Sequence, residues 1–174
     1  MADRDQQDAE HWQAVEEATE MLLEGDHHEA LIKLRDVIKA DPKNSYAYFY
    51  AGTALFEIGQ FEAAATAYRA AVRLAPRYLA ARVGLSHALR ILEEHRAAMT
   101  EARKALEIAP GDGDALYALG LVQAATGDKL GARRSIEAFL RTGPEFEAST
   151  EARSLLQRLQ PPESDNDNDN DDVN

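Results

Sequence analysis

The sequence predicts an all-α protein, a solenoid of four helical hairpins closed by a capping helix and followed by a disordered acidic tail. Three observations carry that. Pro42, Pro76, Pro110 and Pro144 stand at intervals of 34 residues. Between them one pattern recurs, two apolar-periodic runs hinged by a short turn. Small residues fall in the same register, Ala30, Ala64, Ala98 and Ala132. Self-similarity at such a period marks a repeat architecture, because a single hairpin cannot bury its apolar face and stacked neighbours must cover it.

Residues 1–10 place Asp3, Asp5, Asp8 and Glu10 against one base, Arg4. They are expected to be a frayed acidic lead-in whose charge suits the positive end of the helix that follows. The first repeat spans 11–44. Its first helix is expected from about His11 to Glu24, with Trp12, Val15, Thr19 and Leu22 on one stripe at three- and four-residue spacing. Gly25-Asp26 makes the turn, and the second helix runs to Ala40. The pair His27-His28 invites a metal reading, but adjacent helical residues point about 100° apart and a metal needs several converging ligands. His27, like His95 further along, is read as packing edge-on at its turn.

The second repeat, 45–78, is the clearest and the most aromatic. Its runs, Ser45 to Ile58 and Phe61 to Leu74, are hinged at Gly59-Gln60 and hold Tyr46, Tyr48, Phe49, Tyr50, Phe56, Phe61 and Tyr68. The third repeat, 79–112, is the weakest by pattern and the most basic. Arg77, Arg82 and Arg90 lie on or beside its first helix, Val83 and His87 share a stripe, and Glu93 stands at the turn. For the arginines the plain reading is a solvated face with stems covering apolar surface. His87 and Arg90 also suit the positive end of a groove that holds a carboxylate. The fourth repeat, 113–146, adds Tyr117, Leu121 and Ala124 to the stripe.

Residues 145–160 carry apolar side chains at 148, 152, 155, 156 and 159, the pattern of a capping helix over the last hairpin. Residues 161–174 hold six acids and no base, so half of the chain's net charge of −12 lies there. The alternating aspartates lack the glycine turn and terminal glutamate of a calcium loop. Nearly devoid of apolar residues, the tail is expected to be disordered, as solubilising charge or as a self-blocking arm able to reach Arg90.

Ala51-Gly52, Ala64, Tyr68, Ala71 and Pro76 in the second repeat, and Leu119-Gly120, Gly127-Asp128, Ala132, Phe139 and Pro144 in the fourth, resemble the tetratricopeptide family. The first repeat matches at Gly25-Asp26, Ala30, Leu34 and Pro42, and the third at Leu85, Ala98, Ala105 and Pro110. The resemblance covers residues 11–146. It departs at Ala18 and Ser86, which stand for a close-packing glycine, and at Glu93, which stands for a turn glycine, so looser packing is expected there. The resemblance implies a right-handed solenoid whose first helices line a concave groove. Carried over by register, partner-binding residues are Trp12, Val15 and Thr19; Tyr46, Phe49, Tyr50, Thr53 and Phe56; Val83, His87 and Arg90; and Tyr117 and Leu121. Family members that grip C-terminal carboxylates of heat-shock chaperones use a lysine, asparagine and arginine clamp. Val15, Thr19, Tyr50, Ala80 and Gly84 occupy the corresponding places, so a mainly apolar ligand is implied instead.

Composition sets further bounds. With 174 residues and 45% apolar content, the chain can bury one continuous core without room for a second sizeable domain. There is no cysteine, hence no disulfide and no thiolate chemistry. The polar, acidic start is not that of a secretory signal, and no run reaches the roughly 20 apolar residues of a membrane helix, so a cytoplasmic protein is expected. The negative charge argues against nucleic acid or anionic lipid as partner. No nucleophile cluster, phosphate-binding glycine loop or metal-ligand spacing occurs, so neither a cofactor nor catalysis is expected.

The reading is a protein-interaction adaptor that holds an apolar peptide or helix of a partner in an aromatic groove. One alternative is a chaperone resembling those of bacterial type III secretion, which are similar in their aromatic groove but have three repeats after a helical dimerisation arm. Another is a structural subunit of a larger assembly. Self-association is not favoured, because the polar first helix and the cap oppose open-ended stacking.

Overall fold

The computed structural model describes residues 2–160, with side chains from residue 6 onward. Ten helices follow one another among the described residues: α1 (Ala2–Gln13), α2 (Glu16–Glu24), α3 (His27–Ala40), α4 (Ser45–Glu57), α5 (Phe61–Leu74), α6 (Leu79–Ile91), α7 (His95–Ile108), α8 (Gly113–Ala125), α9 (Lys129–Arg141) and α10 (Phe146–Arg158). Helices α2 to α9 form four antiparallel hairpins, and α10 packs on α9. The tail falls outside the described residues.

The turns repeat with the sequence. Gly25, Gly59 and Gly127 are left-handed at φ 88°, 79° and 80°, and Glu93 takes the same conformation at φ 62°. Each turn closes with one backbone bond across it: Asp26 to Met21, Gln60 to Leu55, Glu94 to Leu89 and Asp128 to Gln123, all 2.8–2.9 Å. These bonds satisfy carbonyls that a helix end leaves free. Ala30, Ala64, Ala98 and Ala132 are fully buried where the two helices of a hairpin approach.

Large residues then fill what the alanines leave. Leu34, Tyr68 and Ile136 occupy one register place in the first, second and fourth hairpins and are almost completely buried. Ser86 does not loosen the third hairpin as expected. It is fully buried, and its hydroxyl donates to the Ala98 carbonyl at 3.0 Å. Ala18 is likewise buried, at 2% exposure, against Val15, Ala30 and Leu34.

First helices pack directly on one another in turn, α2 on α4, α4 on α6 and α6 on α8. No comparable packing joins the second helices of successive hairpins among the described residues. That asymmetry bends the stack toward the first helices and makes theirs the inner face.

The N-terminal expectation is corrected. Residues 2–10 are helical rather than frayed, and the helix expected from His11 to Glu24 is broken at Ala14 and Val15. Different neighbours claim the two pieces. α2 pairs with α3, whereas α1 is drawn onto α4. Asn44, 1% exposed, both caps α4 through the Ala47 N–H at 3.1 Å and donates Nδ2 to the His11 carbonyl at 2.8 Å. His11 Nε2 also reaches Asp41 at 2.7 Å.

Candidate functional site, an aromatic inner face

The first-helix stripe separates into three parts. At its N-terminal end the rings form one connected cluster. Trp12 meets Tyr46 edge-on at 5.7 Å between centroids and Tyr50 at 6.0 Å. Phe49 lies 4.9 Å from Tyr50 and 5.9 Å from the core ring of Tyr68. Such pairs add about 0.5–1.5 kcal/mol each beyond their area burial.

The second part, Thr53 and Phe56, is engaged internally. The Thr53 hydroxyl donates to the Phe49 carbonyl and accepts from Tyr68, each at 3.3 Å, and Phe56 pairs with Phe61 at 5.2 Å. At the far end His87, Arg90, Tyr117 and Leu121 are half-buried. Tyr117 stacks on Phe139 at 4.8 Å and donates its hydroxyl to Glu151 of α10 at 3.4 Å. Thr19 is half-buried, with its hydroxyl donated to the Glu16 carbonyl at 2.7 Å.

Two residues assigned to the groove belong to the core. Val15 is fully buried among Ala18, Ala30, Leu34 and Ala47, and Val83 is 8% exposed among Ala102, Ala105, Ala115 and Ala118. Neighbouring first helices come close enough to cover both positions. Arg82 is not on a solvated face either. It is 9% exposed, donates Nε and Nη2 to the Pro76 carbonyl at 2.9 and 2.7 Å, and pairs with Glu101.

Tyr78 was not anticipated. Its ring lies 5.5 Å from Tyr46 and 4.9 Å from Phe49, at the centre of the cluster. Asn44 and Asp112 cap α4 and α8 with their side chains, and Tyr78 occupies the same register place before α6 without a capping bond. A tyrosine where the register calls for a cap is the signal that could have found it.

Electrostatics follow burial. Burial, then the nearby Tyr50, Tyr46 and Asp8, push the Tyr78 phenol well up. Burial raises Tyr46 as well, reinforced by its hydroxyl bond to Asp8, and burial raises Tyr50. Desolvation, then the charge of Arg90, press His87 down to about 4. These phenols are apolar surface with hydrogen-bonding tips at neutral pH, and His87 is uncharged there.

Two open grooves are present, of which only the first borders the aromatic cluster. One of about 910 Å³ is lined by Asp8, His11, Tyr46, Leu74 and Tyr78, between α1 and the α5–α6 turn. Another of about 820 Å³ runs between α5 and α7, with Val72, Leu85, Leu89 and Ala97 among its walls and Arg69, Arg73 and Arg96 along it. The sequence reading identified neither. Among the described residues, no group of three histidines or carboxylates is placed to hold a metal ion, and no helix is long and apolar enough to cross a membrane.

Fold and inner face together define a helical-repeat solenoid of the protein-interaction class. The tetratricopeptide repeat model matches residues 16–78 and 51–113, and the chain belongs to that family. Comparison with curated proteins finds no match. Among solved structures, MamA from Desulfovibrio magneticus is similar at 19% identity and a TM-score of 0.71, over 85% of this chain and 84% of that one. TTC0263, a thermophilic repeat protein of Thermus thermophilus, is similar at 21% identity and a TM-score of 0.70, over 86% and 80%. The first repeat domain of Spaghetti (RPAP3), bound to the HSP90 peptide SRMEEVD, is similar at 20% identity and a TM-score of 0.59, over 66% and 92%. At these identities the likeness shows the fold.

Proposed function

We propose that this chain is an interaction adaptor that holds an apolar peptide or helix of a partner protein against Trp12, Tyr46, Tyr50 and Tyr78. One observation carries the reading: these rings form a connected surface rather than a closed core, with Trp12 44% exposed and the other three half-buried. A solenoid stabilised by stacked alanines has no need of that much aromatic surface at one end. Aromatic anchors of this kind dominate interfaces when they are hot spots, at about 2 kcal/mol or more on truncation. A structural neighbour of the same fold carries a bound peptide. The reading is non-catalytic, needs no cofactor, and sets the protein in the cytoplasm.

The test is capture from native lysate by the intact chain and by a Trp12→Ala/Tyr50→Ala variant shown by circular dichroism to keep its helices. Phe49 is left alone because it also packs on Tyr68. A protein retained by the intact chain and lost by the variant supports the adaptor. Equal retention of the same protein by both moves the working surface to the groove between α5 and α7.

A second reading, the secretion chaperone, gains from one observation: α1 is a helical arm set ahead of the first hairpin and seated across it on α4. The captured partner decides between them. A client that aggregates and attacks membranes when alone favours the chaperone, and a partner that folds well by itself removes it.

A further inference from the structure

Charge divides between the two kinds of helix. The second helices of the hairpins, α3, α5, α7 and α9, hold twelve of the chain's nineteen lysines and arginines against six acids, a net +6 in a chain of −12. All twelve are exposed except Arg133, which is half-buried. Pairs within one helix, such as Lys39 with Asp36 and Lys104 with Glu101, are already inside that balance. By contrast α2, the first helix of the first hairpin, carries four glutamates and no base. Arg35, Arg69 and Arg103 fall at one register place, 34 residues apart, so a cation recurs there on three successive hairpins.

The groove of about 820 Å³ lies between two of these second helices. Its walls are Val72 of α5 and Ala97 of α7, and its floor is Leu85 and Leu89 of α6, which packs on both. The register explains why this gap is apolar. Where α6 has Leu85 and Leu89, α4 has Ala51 and Leu55, and α8 has Leu119 and Gln123. Gln123 accepts from Ser135 of α9 at 2.7 Å, so the next gap along is bridged by a polar bond instead. Arg69 and Arg73, one turn apart on α5, line one side of the groove and Arg96 of α7 the other. Three carboxylates line it as well. Glu94 is bonded to Arg69 at 3.2 Å and Glu101 pairs with both Arg82 and Lys104, which leaves Glu93 facing Arg73 and Arg96.

Depth and charge select the occupant. Leu85 and Leu89 are 3% and 1% exposed, so only side chains that project into the groove touch them, and a flat bilayer does not. No phenyl, phenol or indole ring lines the groove for a base to stack on, and its carboxylates oppose a phosphate backbone. A helix of a protein supplies what remains. Its apolar side chains at three- and four-residue spacing reach the floor, and carboxylates on its flanks meet the arginines.

We propose that the groove between α5 and α7 docks an acidic amphipathic helix of a partner protein, its apolar stripe on Val72, Leu85, Leu89 and Ala97 and its carboxylates toward Arg73 and Arg96. The surface shares no residue with the cluster of Trp12, Tyr46, Tyr50 and Tyr78, so it stands or falls independently of what that cluster holds.

The probe is a fluorescein-labelled synthetic helix of about eighteen residues, about five turns, with leucines along one stripe and glutamates on the flanks. Two controls carry glutamine or lysine in place of every glutamate. Anisotropy gives the affinity for the full chain, and NMR shift changes give the place. The glutamate helix is expected to bind about tenfold or more tightly than the glutamine helix, and the lysine helix not measurably, with shifts centred on Val72, Leu89 and Ala97. Arg73→Glu/Arg96→Glu, at two exposed positions, is expected to weaken the glutamate helix about tenfold or more with the circular dichroism unchanged. Trp12→Ala/Tyr50→Ala is expected to leave its affinity as it was. Should the arginine variant lose its helices, salt raised to about 0.5 M on the unmodified chain serves instead and is expected to weaken binding. Equal binding of the three helices, shifts centred on Tyr46 and Tyr78, or no binding at about 1 mM overturns the proposal. Tighter binding of a DNA duplex or of phosphatidylserine vesicles at this groove also overturns it, by assigning the arginines to phosphate.

Discussion

Gly84 on α6 lies against the ring of Tyr68 on α5, so close that a Cβ added there would stand 2.7 Å from the ring's Cζ. Gly52 on α4 presses the same ring from the other side, with its would-be Cβ 2.7 Å from Cδ1. The tyrosine is thus clasped between the first helices of two successive hairpins, 4% exposed, its hydroxyl donated to Thr53 and its pKa pushed up to about 12 by burial. This one ring joins the second hairpin to the third.

Gly84→Ala forces that contact open. The expected cost is about 1–3 kcal/mol, the range for overpacking a well-filled site. Urea denaturation is the measurement. Ala at Gly111, where an added Cβ meets nothing, should change stability far less.

Glu93 is the only non-glycine residue with positive φ among the described residues. A left-handed conformation costs an L-residue roughly 1–2 kcal/mol, part of which glycine gives back through the freedom of its unfolded chain. Glu93→Gly is expected to stabilise by about 0.5–1 kcal/mol net. A loss of stability on thermal or urea unfolding would mean that the Glu93 side chain does more than turn the chain.

Arg82 and Glu101 pair with side chains only 11% and 13% exposed. Removing one partner strands the other, which for buried pairs costs about 3–5 kcal/mol. Glu101 keeps Lys104 at 3.1 Å, so Arg82→Met is expected to cost less, about 2–3 kcal/mol. Lys104→Met, at a half-exposed site, should cost under about 1 kcal/mol. Equal effects in urea titrations would show that the Pro76 and Glu101 bonds contribute little.

His87 makes stability depend on acidity. Its pKa falls from the ordinary 6.5 to about 4 in the folded chain, through burial first and then the charge of Arg90. As pH drops, the unfolded chain takes up its proton first, so this contribution is held above about 6.5 and lost on the way down to about 4. His87→Asn should narrow the gap in denaturation midpoint between pH 7 and pH 5. Arg90→Gln should move the His87 titration upward, as read from its ring protons by NMR.

The period, the turns and the hairpin contacts were legible because they are local. Gly25, Gly59, Glu93 and Gly127 recur every 34 residues, and Ala30, Ala64, Ala98 and Ala132 meet the helix just before them in the chain. A residue type that must sit in one conformation or one close approach announces itself at fixed spacing. The candidate site was legible only in part. Trp12, Tyr46, Phe49 and Tyr50 do meet, yet Val15 and Val83 on the same stripe are closed, Tyr78 enters from a cap position, and the helix around Ala14 is broken.

Those features rest on contacts the repeat does not contain. Asn44 holds the His11 carbonyl and Tyr46 holds Asp8 at 3.1 Å, across 33 and 38 residues, and together they draw α1 onto α4 and away from α2. By itself the sequence determined which side chains share a stripe of each helix, since 3.6 residues make a turn whatever surrounds it. Which members of that stripe stay open, and which the next helix covers, was decided only when the hairpins stacked, because the answer depends on how closely neighbouring first helices approach.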